Sequence, residues 1–192
     1  MENQELIDYQ IKIPGEPIAK ERPYSVHKDK EGNALPFIRH INRQEGVEAA
    51  WKFAALKYMT ENGGVMSIIA DAPIAMGFTF IMPVRKNWPQ YKIRDLRRGM
   101  TFYHFIKPDT DNLIKFCKDC LQGICYKNDS QVALYDPCPV KIYGFEPRTI
   151  IRIRKLPEFE MLKKEGYDTP ANTHEANQEG INFDDFLLRV CE

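Results

Sequence analysis

The chain has 192 residues, 27 basic and 27 acidic side chains, 43% hydrophobic residues and five cysteines. That length suits one domain of ordinary size plus a short appendage, and the composition excludes repeat and low-complexity classes. No stretch reaches the length of a membrane span, the acidic opening MENQELIDYQ lacks a signal core, and the odd cysteine count fits reduced thiols, so a cytoplasmic protein is expected.

Residues 6–13 alternate apolar and polar side chains, predicting a strand closed by Pro14 and Gly15. Lys20 and Arg22 follow on a loop stiffened by Pro23, with Tyr24 beside them. An isolated pair of this kind reads as a solvated loop. Residues 43–60 predict a helix with Val47, Ala50, Trp51, Ala54, Ala55 and Tyr58 on one side, stopped by Asn62, Gly63 and Gly64; Trp51 is a core or dimer contact. The apolar run at 73–82, closed by Pro83, predicts a central strand.

Between 85 and 98 lie Arg85, Lys86, Lys92, Arg94, Arg97 and Arg98, with Trp88 and Tyr91 among them and Asp95 as the one opposing charge. Such a run is ordinarily a soluble surface. Interleaved aromatics also fit DNA, since rings can stack on bases or sugars while the cations neutralise phosphates. Residues 101–106 predict a strand leading into the next segment, with His104 in a structural role.

Residues 107–132, KPDTDNLIKFCKDCLQGICYKNDSQV, carry the chemistry. Pro108 favours an extended approach, and Asp109 or Thr110 can cap a helix that begins there. Leu113, Phe116, Cys117, Cys120, Leu121 and Ile124 form an apolar stripe, Asp111, Lys115, Lys118, Asp119 and Gln122 the opposite face, and Gly123 the stop. The spacing of Cys117, Cys120 and Cys125 could suggest zinc, but two lie on the apolar stripe and no fourth ligand is near in sequence, so core packing is expected. A helix of about a dozen residues advances roughly 18 Å, and an extended return from Ile124 brings Asp129 back level with Asp109 and Asp111. Three such carboxylates repel one another unless a cation neutralises them, and hard oxygen ligands select Mg²⁺ or Mn²⁺. Lys115, one turn from Asp111, adds a positive charge.

Residues 132–135, 140–143 and 149–153 supply further strands, so the chain reads as α+β, a mixed sheet packed with two main helices. The composition changes near 156, dividing the chain into a domain at 1–156 and an acidic extension at 157–192. From 158 onward there are nine acidic residues against three basic ones. Within that tail Phe183, Phe186, Leu187 and Val190 predict a short helix, and the tail's charge is expected to compete with phosphates for the body's cations.

The motif K-P-D-x-D-N-L-x-K followed by D-S-Q-V, and the opening P-G-x-P-x-x-K-x-R-P at 14–23, resemble the RusA family of Holliday-junction resolvases. The resemblance implies a RusA-like fold and a Mg²⁺-dependent endodeoxyribonuclease. It implies Asp109, Asp111 and Asp129 as metal ligands, Lys115 as the essential lysine, and Lys20 and Arg22 as phosphate contacts. It further implies a homodimer that nicks two strands of a four-way junction. Many members carry two acidic residues before S-Q-V, whereas Asn128 precedes Asp129 here. A calcium loop fails because Leu113, Ile114 and Cys120 stand where an oxygen ligand, a glycine and a second oxygen ligand are needed. A sugar-nucleotide transferase lacks its nucleotide-binding βαβ unit. A non-catalytic DNA-binding module that kept the fold stays open, and a metal-dependent nicking assay discriminates it.

Overall fold

The computed structural model describes residues 8–28, 31–62 and 68–157; the short helix and charge competition expected beyond 157 lie outside them. The alternating opening segment forms β1 (Asp8–Pro14), with Tyr9, Ile11 and Ile13 turned inward. A hairpin of β2 (Tyr24–Lys28) and β3 (Ala34–Ile41) then makes a separate two-stranded sheet that the sequence reading does not anticipate. Gly32, at φ +91°, is the overlooked turn signal between its strands. There follow α1 (Glu45–Glu61), β4 (Ile74–Pro83), α2 (Gln90–Arg97) and α3 (Thr110–Leu121). A 3₁₀ turn at Asp129–Gln131, β5 (Val132–Tyr135), β6 (Val140–Gly144) and β7 (Arg148–Lys155) complete the order.

β4 is the strand on which the sheet is built. One edge pairs antiparallel with β7, which in turn pairs with β1. Its other edge is shared by two parallel strands laid end to end, β5 along Ile74–Met76 and β6 along Thr79–Pro83. With both edges paired and almost every side chain buried, the strand must be apolar throughout, which is why residues 73–82 read as a continuous run. Between β5 and β6 the chain crosses over Gly77, where a Cβ would lie 2.7 Å from the Asp136 carbonyl oxygen. Only glycine leaves room for that crossing.

Trp51 meets Phe116 edge-on at 5.9 Å, so Trp51 is a core residue joining α1 to α3. The inward face of α1 is Trp51, Ala55 and Met59; Val47, expected on it, is exposed. Cys117, Cys120 and Cys125 are buried, and Cys125 Sγ donates to Met59 Sδ at 3.8 Å. Burial pushes the Cys120 and Cys125 thiols up to about 12, as suits small core hydrophobes.

The α+β class holds, with α1 and α3 as the two main helices; among the described residues a third, shorter helix, α2, forms within the basic segment. Its N-terminus is set by Pro89, which needs no hydrogen-bond partner for a missing N–H. One expectation needs correction. Residues 101–106 form no strand, only a bridge between Tyr103 and Ile142, with His104 N donating to Lys141 O and Tyr143 N to Phe102 O, each at 2.9 Å. Two residues further on, the Ile106 carbonyl accepts from the Lys141 ammonium at 2.8 Å.

Candidate active site at the start of helix α3

Helix α3 is fixed by the burial of Leu113, Phe116, Cys117, Cys120 and Leu121, which turns Asp111, Lys115, Lys118 and Asp119 to the opposite side. Gln122 ends it, and Gly123 takes the left-handed conformation, φ +78°, that the sequence predicts. Asp109 occupies the N-cap position with extended backbone, yet its carboxylate makes no capping hydrogen bond. The side chain is therefore not consumed by the helix start. The approach to it, through a cis Lys107–Pro108 peptide, is gripped by the Lys141 ammonium, which donates to the carbonyls of Ile106 at 2.8 Å and Pro108 at 2.6 Å.

Asp129 arrives differently from the expected extended return. The chain after α3 makes a turn in which Tyr126 is buried and donates its hydroxyl to Lys118 O at 2.8 Å, and Asp129 opens the 3₁₀ turn. Gln131 pins that turn with its whole amide. Its oxygen accepts from Lys127 N at 2.9 Å and Asn128 N at 2.8 Å, and its nitrogen donates to Ile69 O at 3.0 Å and Ala72 O at 2.9 Å. Asn128 accepts from Ser130 N at 3.3 Å, so it caps the turn that presents Asp129. An asparagine serves there as well as a carboxylate would, which gives the departure at this position a local role.

A cavity of about 390 Å³ between α3 and β5 is lined by Asp111, Ile114, Lys115, Lys118, Asp119, Asp129 and Tyr135. Asp109 lines a second hollow of about 590 Å³, with His104, Phe105, Ile106, Lys107, Thr110 and Lys141. Two of the three predicted aspartates thus share one cavity with Lys115, and the third stands in the next hollow. Among the described residues no three His, Cys, Asp or Glu side chains gather closely enough to enclose a metal by themselves. Burial, and then the charge of Asp129, raise the Tyr135 hydroxyl pKa, so that lining residue stays protonated. Burial lowers the Lys141 pKa, opposed by the Asp109 charge. His104, 7% exposed, is lowered by burial and then by Lys141, in keeping with a neutral structural residue against Tyr143.

The other predicted contacts divide. Lys20 bridges Glu48 on α1 at 2.9 Å and Asp119 on α3 at 2.8 Å, and its N–H donates to Asn112 O, so its charge is engaged inside the fold. Arg22, Arg85, Lys86, Arg94, Arg97 and Arg98 are exposed. Lys92 lies over the Trp88 ring at 5.6 Å, and Arg97 over Phe145 at 5.7 Å. Trp88 is half-buried against Phe102 and Tyr143, and Tyr91 remains exposed. Lys115 forms no ion pair among the described residues; the carboxylate one turn on, Asp119, is held by Lys20. Sequence reasoning missed Gln131, Tyr135 and Lys141. The first was visible as part of D-S-Q-V, whereas nothing local marks Lys141.

A family profile described as Endodeoxyribonuclease RusA matches residues 14–154. The chain is also similar to a Bacillus subtilis (strain 168) protein named "Uncharacterized protein YqaN", 46% identical over 145 residues that cover 75% of this chain and 94% of that one. The matched span runs from the end of β1 to β7 and includes both hollows and all four predicted catalytic positions, so the chain belongs to the RusA endodeoxyribonuclease family.

Proposed function

We propose that the protein is a Mg²⁺-dependent, structure-specific endodeoxyribonuclease that resolves Holliday junctions by paired phosphodiester hydrolysis. The observation that carries this reading is the cavity that Asp111, Asp129 and Lys115 line together. Its carboxylate oxygens are the donors a hard cation takes, and Mg²⁺ is commonly held by one or two carboxylates together with substrate phosphates. Asp111 and Asp129 would hold the ion, with Asp109 contributing from the adjoining hollow; Mn²⁺ suits the same donors. Bound there, the cation supplies Lewis-acid stabilisation of charge on phosphoryl oxygens.

Lys115, free of a carboxylate partner among the described residues, offsets negative charge on the phosphate being cut. Arg22, Arg85, Lys86, Arg94 and Arg98 hold flanking phosphates, with Lys92 and Arg97 reaching out from their aromatic supports. Lys20 serves by holding α1 and α3 in place beside the cavity. A homodimer places two such sites across a four-way junction.

The test is incubation of the full chain with labelled four-way junction, duplex and single-stranded DNA, in Mg²⁺ and in EDTA. Wild type should nick the junction only with Mg²⁺. Asp111→Asn and Asp129→Asn should each abolish cutting while junction binding stays intact or tightens, because a negative charge facing phosphates is removed. Lys115→Ala should lower turnover with little loss of affinity. Tight junction binding by wild type with no metal-dependent nick would identify a non-catalytic module instead.

A further inference from the structure

Phe105 is 88% exposed, more than any other large apolar side chain among the described residues, and it stands four residues before Asp109. On a loose loop such exposure would need no explanation. Here one residue fixes the backbone on both sides of it: His104 N donates to the Lys141 carbonyl at 2.9 Å, and the Lys141 ammonium donates to the Ile106 carbonyl at 2.8 Å. His104 is packed inward with its ring 4.7 Å from Tyr143, while its neighbour Phe105 points out. The phenyl ring borders the hollow that also holds Lys107, Asp109 and Lys141. The fold thus presents an apolar ring on a tethered backbone, beside two cations and an aspartate of the proposed cleavage site.

A flat apolar face next to ammonium groups matches a nucleotide, which offers a π surface and a phosphate together. In continuous duplex both faces of each base are covered by its neighbours. At a branch point the stack is interrupted, and a base already unpaired is the least costly to draw out. We propose that Phe105 stacks on a nucleobase released from the helical stack beside the phosphate to be cut, so that this side chain selects branched over continuous DNA. The inference rests on the nuclease reading above and deepens it, assigning choice of DNA shape to a residue outside the carboxylate cluster.

The test compares wild type with Phe105→Ala, Phe105→Leu and Phe105→Trp by fluorescence anisotropy on a labelled four-way junction and a linear duplex. Both are measured in EDTA at one salt concentration, with melting temperature and light scattering recorded for each protein. Base-on-ring stacking energies correspond to roughly tenfold weaker junction binding by the Ala and Leu variants, with duplex affinity nearly unchanged and Trp restoring the junction. Unchanged junction affinity in Phe105→Ala, or equal loss on both DNAs, overturns the inference while leaving the nuclease reading intact. Conversion of a dimer to a monomer by Phe105→Ala also overturns it, since the ring would then face a second copy of the chain. A wild-type protein that neither binds nor cuts branched DNA removes both.

Discussion

Gln131 shows how much of the site rests on a residue that never touches the chemistry. Its amide satisfies two N–H donors of the Asp129 turn and two carbonyls of the 69–72 segment. Truncation leaves all four groups to find other partners: water can reach the exposed Lys127 and Asn128 N–H groups, whereas the part-buried Ile69 and Ala72 carbonyls bear part of the cost of an unsatisfied group, about 1–3 kcal/mol when fully buried. Gln131→Ala should lower the melting temperature and also cut junction cleavage by about ten- to a hundred-fold where the protein is still folded, as a displacement of about 1 Å does. Gln131→Glu keeps the acceptor but turns it on two carbonyls, so it should not rescue. Full activity in the folded Ala variant would show that Asp129 is held in place by other contacts.

Among the elements, α3 was the most legible in the sequence, because a stripe of five buried residues, a proline before the start and a glycine after the end all agreed. The strands β1, β4 and β7 of the main sheet were readable because each is alternating or continuously apolar according to how many of its faces are covered. What could not be read were elements whose partners are remote. The segment at 101–106 has strand composition, but it pairs only through the Tyr103–Ile142 bridge, and its Ile106 carbonyl is held by the side chain of Lys141, 35 residues on. The hairpin of β2 and β3 stands off the main sheet, with Ile38 and Ile41 exposed, so the core imposes no clean pattern on it. Helix α2 buries none of its residues, which explains why no apolar stripe announced it. That same exposure leaves its cations available. Changing Arg94, Arg97 and Arg98 together to Ala should weaken binding to all DNA shapes and reduce the slope of log K against log salt by up to about three, since each phosphate left without its cation accounts for nearly one. An unchanged slope would return α2 to an ordinary solvated surface.

At the scale of the whole molecule, Lys20 ties the opening loop to both α1 and α3 through Glu48 and Asp119. Burial by itself would lower the Lys20 pKa, but hydrogen bonds to Asp119 and Glu48, with their charges, leave it raised. Glu48 is lowered chiefly by the Lys20 hydrogen bond, against its own desolvation. The stabilisation from Glu48 is therefore present above its unfolded value of 4.5 and is lost as pH falls further, through its folded value. That from Lys20 is present below 10.5 and is lost as pH rises through its raised folded value. Lys20→Met should destabilise by roughly 1–3 kcal/mol between those limits, several degrees of melting temperature for a chain of this size. The gap from wild type should narrow in the acid range once Glu48 is protonated. A gap that stays constant from neutral pH down to about 3, below the ordinary carboxylate range, would mean that the methylene chain of Lys20, not its charge, joins the helices.

The shared edge of β4 also acts as a ruler. Val132, just past the Asp129 turn, is registered against Ile74, and Lys141, which grips the approach to Asp109, against Phe80. About six residues of strand, some 20 Å at about 3.3 Å each, therefore set the spacing between the two supports of the site. A residue inserted within β4 would lengthen that gauge and turn the following side chains to the opposite face, altering the span between the carboxylates without changing any of them. Tolerance to insertion should accordingly be low along this buried strand, although no residue of it touches either hollow.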